Sequence, residues 1–158
     1  MALWTEFVAG PGWQMQLACR PGGLIRISFG GLPPSPAWKR DDSVPLLADA
    51  REQIEEYLFG KRERFDLPVA PEGTPFQQRV WEALRQIPYG QTRSYADIAV
   101  AAGDPKATRA VGTANGRNPL PLVVPCHRVI HSDGTLGGFS GGLAIKHYLL
   151  KLEGVLLL

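Results

Sequence analysis

The hexapeptide PCHRVI at residues 125–130 sets a thiol, Cys126, beside the imidazole of His127 and the guanidinium of Arg128. An apolar run, residues 122–124, leads into it, and a third polar neighbour, His131, follows. Three chemistries fit a cysteine in this company. It can be an inert buried thiol, because apolar residues precede it. It can be a metal ligand, although adjacent Cys and His make a strained start to a tetrahedral site and no further Cys lies nearby. It can be a nucleophile, because neighbouring positive charge lowers a thiol pKa and the thiolate is the reactive form. The last reading carries a geometric condition. Adjacent residues of an extended segment point to opposite sides, so His127 reaches Cys126 as a base only through a turn or a bridging water. The imidazole also needs an acceptor on its other nitrogen. Residues 79–158 hold five carboxylates, Glu82, Asp97, Asp104, Asp133 and Glu153, and spacing does not choose among them. A hydrolase triad with Asn115 or Asn118 as third member is open as well.

Patterning supplies the elements that must position these groups. Residues 13–30 alternate apolar and polar positions around Pro21-Gly22-Gly23 and predict a β-hairpin, with Cys19 a small hydrophobe ending its first strand. A Pro/Gly-rich loop follows. Leu47, Ile54, Tyr57 and Leu58 recur at helical spacing between Pro45 and Gly60, and RFDLPV at 64–69 reads as a further strand. Residues 1–68 are thus expected to form a small α/β domain, with residues 66–75 a linker. Thr74, Pro75 and Gln77 form a helix start with a capping box. Phe76, Val80, Trp81, Leu84 and Ile87 line that helix's apolar face. Ser94 and Asp97 make a second capping box before Tyr95, Ile98, Ala99 and Ala102. Asp104 is expected to cap a helix from Pro105, with Ala107, Ala110, Val111 and Ala114 inward and Lys106, Arg109 and Thr113 outward. Two short helices across a glycine turn, about residues 94–115, resemble a helix-turn-helix. A last helix is expected from about Ser140 to Glu153, packed through Leu143, Ile145, Tyr148, Leu149 and Leu152, with Gly154 as its stop. Residues 155–158 read as an apolar tail. The expected fold class is α/β, of the α+β kind: a hairpin-plus-helix domain, then a mostly helical domain over residues 74–154.

Composition narrows the function classes. The 158 residues are 44% hydrophobic and 20% charged, which is globular and not disordered. No apolar run is long enough to span a bilayer, and the N-terminus lacks a basic start leading into an apolar core. An intracellular place is therefore expected, and with it two thiols that stay reduced. Two Cys and three His without a cluster predict no metal site and no cofactor. The net charge of +2 hides an asymmetry. Residues 1–78 carry 8 Lys/Arg against 10 Asp/Glu, and residues 79–158 carry 9 against 5. The second half suits a polyanion.

PCHRVI resembles the active-site signature of the O6-alkylguanine-DNA alkyltransferases, the methylated-DNA–protein-cysteine methyltransferases. The likeness runs through GTPFQQRVWEALRQIPYGQTRSYADIA at 73–99 and on from GDPKATRAVGTANGRNPLPLVV at 103–124 to KLEG at 151–154. Residues 1–65 are similar to the family's variable N-terminal domain in layout alone. The resemblance implies direct-reversal DNA repair. A methyl or small alkyl group passes irreversibly from O6 of guanine to Cys126, once per molecule, with O4-alkylthymine left open as a second substrate. It implies that His127 takes the thiol proton through a water, and that Glu153 orients His127. It implies that Asn118 holds the turn into the active site, and that Tyr95 aids nucleotide rotation and protonates the departing guanine at N3. Arg109 fills the space left by the extruded base. Lys106, Thr113, Ala114, Asn115, Gly116, Arg117 and Arg128 are expected on the DNA surface, in the minor groove. Val129, Phe139 and Ser140 are expected with Tyr95 around the alkyl pocket. The implied partner is double-stranded DNA, met by a monomer with no obligate protein partner, in the cytoplasm or nucleoid, or in a nucleus. Phe139 stands where a tyrosine is common, and His147 where an acid often stands. A non-repairing branch of the family keeps the DNA grip without the cysteine, and Cys126 argues against that alternative.

Overall fold

The computed structural model describes residues 1–30 and 34–155. Residues 31–33 of the Pro/Gly-rich loop and 156–158 of the apolar tail lie outside the described residues. The chain divides into two compact units, Met1–Glu72 and Gly73–Leu158.

The first unit is a sheet with one helix against it. Strands β1 (Leu3–Ala9), β2 (Trp13–Arg20) and β3 (Gly23–Phe29) run antiparallel in sequence, and the two-residue β4 (Lys39–Arg40) joins β1 in parallel, giving the order β3-β2-β1-β4. The predicted hairpin is β2–β3. Strand β1 was not anticipated: its buried Thr5, Phe7 and Ala9 alternate with polar or exposed residues, but Trp4 and Val8 on the other face blur the contrast. Helix α1 (Pro45–Leu58) opens on proline, whose fixed φ suits the first turn, and buries Leu47, Ala50, Ile54, Tyr57 and Leu58. It packs on β1, β2 and β3. The strand expected at residues 64–69 is reduced to one bridge, Leu24 to Val69. Pro68 has no N–H to give a ladder, and its carbonyl instead accepts from Leu24 N–H at 2.9 Å.

The second unit is built on α2 (Pro75–Arg85), α3 (Tyr95–Ala101), α4 (Thr108–Gly116) and α5 (Leu143–Leu152). Both predicted capping boxes are present, Thr74 with Gln77 and Ser94 with Asp97. Helix α2 buries Val80, Trp81 and Leu84 and packs on α3 and α4. Trp81 Nε1 donates to the Ala114 carbonyl at 2.9 Å, which ties α2 to the helix-turn-helix made by α3 and α4. Two boundaries differ from expectation. Helix α4 starts at Thr108, not Pro105, because residues 104–107 close a separate turn, Ala107 N–H to Asp104 O at 3.0 Å. Asp104 therefore caps nothing, and Ala110 is exposed. Helix α5 starts at Leu143 after Gly142, whose φ of +97° breaks any earlier start. Its inner face is Lys146, Leu149 and Leu150, while Leu143 is 55% exposed. The last element is a parallel pairing of β5 (Arg93–Ser94) with β6 (Val129–Ile130). It sets the start of α3 beside the chain that leaves Cys126.

Candidate active site

The chain turns at Cys126 and does not run on extended. Residues Cys126–Arg128 form one turn of 3-10 helix, with Arg128 N–H donating to Pro125 O at 3.0 Å. The segment entering it is pinned by Asn118. Its amide Nδ2 donates to Val124 O at 2.7 Å and its Oδ1 accepts from Leu120 N–H at 2.9 Å. Between those anchors Leu122 adopts a φ of +76°, a conformation that costs a branched residue of order 1–3 kcal/mol and persists only where surroundings enforce it. Helices α2 and α5 both pack on the turn.

Glu153 is the carboxylate that spacing could not select. It is the C-cap of α5, and Gly154, with φ +82°, turns the chain behind it. Its Oε2 lies 2.7 Å from His127 Nε2. Its Oε1 accepts from Arg128 Nε at 2.8 Å and from Gly90 N–H at 3.0 Å, and Arg128 Nη2 reaches Oε2 at 3.0 Å. A carboxylate can only accept, so the network assigns the proton of that ring edge to Nε2 and leaves Nδ1 as the basic nitrogen. His127 is fully buried, and Arg128 and Glu153 are each 6% exposed. Arg128 was expected on the DNA surface. Its guanidinium is instead spent inside, forked on Glu153, donating to Ile87 O at 2.8 Å and lying 5.7 Å from the Tyr89 ring centroid.

The thiol itself rests protonated. Burial pushes Cys126 up to about 11, and the opposing Asn118 hydrogen bond and Lys146 charge recover only part of that. Burial likewise lowers the His127 pKa, against the pull of Glu153. Positive charge near the thiol thus offsets only part of the effect of burial. The Arg128 charge is paired with Glu153.

Lys146 had no assigned role. Its side chain is fully buried, and Nζ donates to the carbonyls of Val129 at 2.6 Å, Leu136 and Gly138 at 3.1 Å. Those bonds hold the segment from β6 to the glycine-rich loop. Burial brings this amine down to about 8. The loop hands Gly137 to Tyr95: with φ +71°, a Cβ there would lie 2.6 Å from the Tyr95 hydroxyl. Val129 is buried in β6, Phe139 is half-buried and Ser140 is exposed.

An open cleft beside Tyr95 is lined also by Lys106, Thr108, Arg109, Gly112 and His131. Lys106, Arg109, Thr113, Gly116 and Arg117 are exposed. Ala114 and Asn115, expected on the same outer surface, are 3% and 5% exposed. They lie on the inner stripe with Val111, and the Ala114 carbonyl is taken by Trp81. Asn115 Oδ1 is buried and meets no hydrogen-bond partner among the described residues. Among those residues no group of three His, Cys, Asp or Glu is placed to hold a metal ion, and no helix is long and apolar enough to cross a membrane.

Comparison with known proteins finds likeness in both units. The family described as 6-O-methylguanine DNA methyltransferase, DNA binding domain, matches residues 75–155, and its ribonuclease-like domain matches residues 5–71. A methylated-DNA–protein-cysteine methyltransferase of Methanosarcina barkeri is 60% identical over 112 residues, 71% of this chain and 71% of the relative. The constitutive protein of that name from Bacillus subtilis is 56% identical over 113 residues, 71% of this chain and 68% of the relative. The crystal structure of Mycobacterium tuberculosis OGT in complex with DNA superposes with a TM-score of 0.89 at 40% identity, covering 96% of this chain and 92% of that one. The chain belongs to the O6-alkylguanine-DNA alkyltransferase, or methylated-DNA–protein-cysteine methyltransferase, family.

Proposed function

We propose that this protein repairs DNA by direct reversal, moving a methyl or small alkyl group from O6 of guanine to Cys126 Sγ once per molecule. The observation that carries the reading is the buried network of His127, Glu153 and Arg128 that follows directly on Cys126, in the unit that holds the helix-turn-helix. It sets a thiol next in sequence to an imidazole held by a carboxylate.

The family resemblance implies the steps, and the geometry above is compatible with them. Guanine O6 is out of reach of a buried thiol while the base is stacked, so the nucleotide must leave the duplex, at a cost of a few kcal/mol that a weakened alkylated pair reduces. Arg109, exposed near the start of α4, enters the duplex and offsets part of that cost. Lys106, Thr113, Gly116 and Arg117 meet the DNA backbone along the minor groove, where contacts position the protein and carry little sequence code. The base enters beside Tyr95, with Val129, Phe139 and Ser140 around the alkyl group. His127 Nδ1 takes the thiol proton through a water. Glu153, acting as an oriented acceptor at Nε2, stabilises the imidazolium so formed. Sulfur then displaces the alkyl carbon from O6, and Tyr95 protonates N3 of the leaving guanine. The thioether does not reverse, so each chain acts once.

The chain acts as a monomer, since one polypeptide holds the whole set, and in the compartment that holds DNA: the cytoplasm or nucleoid, or a nucleus. No cofactor is required by these steps. Cys126 distinguishes this reading from a sensor that binds lesions without repair. The test is transfer of a labelled methyl group from duplex O6-methylguanine to the chain. Transfer lost in Cys126→Ala while duplex binding persists supports the proposal. Transfer retained in Cys126→Ala overturns it.

A further inference from the structure

One titratable side chain of the cleft has no part in those steps. His131 lines the cleft with Tyr95, Lys106 and Arg109. The register of the short parallel pair places it there. Ser94 pairs with Ile130, so the next residue on each side, Tyr95 and His131, come out together. Their ring centroids are 5.1 Å apart, with planes tilted by 42°. Their polar atoms converge as well. A Cβ built on Gly137 would lie 2.6 Å from the Tyr95 hydroxyl and 3.3 Å from His131 Nε2, so both atoms face one point above that glycine. The backbone fixes the imidazole's base: His131 N–H donates to Thr135 O at 2.9 Å, and Gly134 N–H donates to His131 O at 3.0 Å.

We infer that His131 is a positioning residue for proton transfer by Tyr95, packing the phenol ring in place and stabilising the phenolate left when its proton departs. The inference rests on the reading of Tyr95 as proton donor. The S–C bond forms at Cys126, the C–O6 bond breaks, and the bonding pair stays with guanine. The Tyr95 proton moves to N3 and the negative charge passes to the phenol oxygen. The proton that His127 took from the thiol returns to that oxygen through solvent, so the net change is one alkyl group exchanged for one proton. A phenolate is costly here. Burial, and then the Cys126 sulfur, push the Tyr95 pKa up, against one backbone hydrogen bond from Gly138. A neighbouring N–H donor lowers that cost. The ionisable groups facing His131 are Tyr95 on α3, Lys106 and Arg109 across the cleft, and Asp133 on its own turn. Asp133 is held low chiefly by Thr135 and in smaller part by His131.

The experiment is single-turnover transfer from a duplex carrying one O6-methylguanine, between pH 5.5 and 8.5, with duplex Kd measured in parallel. The variants are His131→Phe, which keeps a ring and removes the N–H groups, His131→Lys, Tyr95→Phe, and the Tyr95→Phe/His131→Phe pair. We expect His131→Phe to slow transfer about fivefold, with Kd unchanged, as for the loss of one modest electrostatic donor. His131→Lys, which returns an N–H donor to the site, restores the rate. In the Tyr95→Phe background, His131→Phe has no further effect. Wild-type rates for His131→Phe at every pH, a change confined to Kd, or an equal slowing in the Tyr95→Phe background would each overturn the inference. Wild-type transfer by Tyr95→Phe would instead overturn the proton-donor reading beneath it.

Discussion

The Glu153 carboxylate, 2.7 Å from His127 Nε2, also takes the fork of Arg128 at 2.8 and 3.0 Å. One buried group therefore orients the base and neutralises the cation beside it. Glu153→Gln separates the consequences. The volume is kept, but Arg128 is left charged and buried without its partner, which typically costs about 3–5 kcal/mol. The amide can also present N–H where His127 donates, turning the imidazole. Thermal unfolding should show the stability loss, and transfer should slow even at temperatures where the variant is fully folded. A variant that unfolds earlier yet transfers at the wild-type rate when folded would limit Glu153 to packing.

Arg128 and the exposed bases should part company in salt. Each phosphate contact adds about 0.9 to the slope of log affinity against log salt on duplex DNA. Lys106→Ala should lower that slope by about one contact, since Lys106 is exposed beside the cleft. Arg128→Met should destabilise the fold and leave the slope of the folded protein unchanged, because its donors are spent on Glu153 and Ile87 O. A slope that falls for Arg128→Met would return it to the DNA surface.

Gly137 measures the space at Tyr95. Its φ of +71° and the 2.6 Å approach to the phenol oxygen leave no room for a methyl group. Gly137→Ala must displace Tyr95 or the loop. Transfer of a methyl group should slow by about 10- to 100-fold, the scale of an ångström of misplacement, and a benzyl group should be slowed more. Equal slowing of both groups would show that the loop tightens no pocket.

The resting thiol gives a pH prediction with a definite sign. Its folded pKa, about 11, lies above the ordinary 9.0. The folded state thus holds the proton more tightly. That contribution to stability is complete below pH 9 and is lost as the pH rises through 11. Comparison with Cys126→Ser isolates it from Lys146, whose depressed pKa, about 8, acts in the opposite sense. Thiolate absorbance in the DNA-free protein should likewise rise towards pH 11. A midpoint below 7 would mean that coupling to His127 and Glu153 outweighs burial.

Which parts of this site the sequence announces follows from how local each signal is. The capping boxes of α2 and α3 are three-residue patterns and were read directly, as was the α1 start at Pro45. Hairpin β2–β3 has its turn written beside it, whereas β1 pairs across a sheet whose two faces are both partly apolar. Asp104 looked like a cap because nothing local reveals that the chain turns again before Thr108. Arg128 was expected outside and Lys146 was passed over, for one reason. A charged residue reads as surface until its acceptors are known, and these lie far along the chain, at Glu153 and Ile87 for Arg128 and at Val129, Leu136 and Gly138 for Lys146. Helix periodicity at Lys146, in step with Leu149 and Leu150 on the inner stripe, was the available signal. Glu153 was singled out only through family resemblance. Its meeting with His127 depends on α5 returning to the active-site turn, which no local pattern encodes.

The central claim is covalent, and intact-protein mass tests it most directly. After incubation with a duplex containing one O6-methylguanine, the account predicts a gain of about 14 Da, a methyl group for the thiol proton of the nucleophile. It should map to Cys126 and stop at one per chain whatever the excess of DNA. No gain in a sample that demonstrably binds the same duplex would contradict the account and leave a protein that recognises the lesion without removing it.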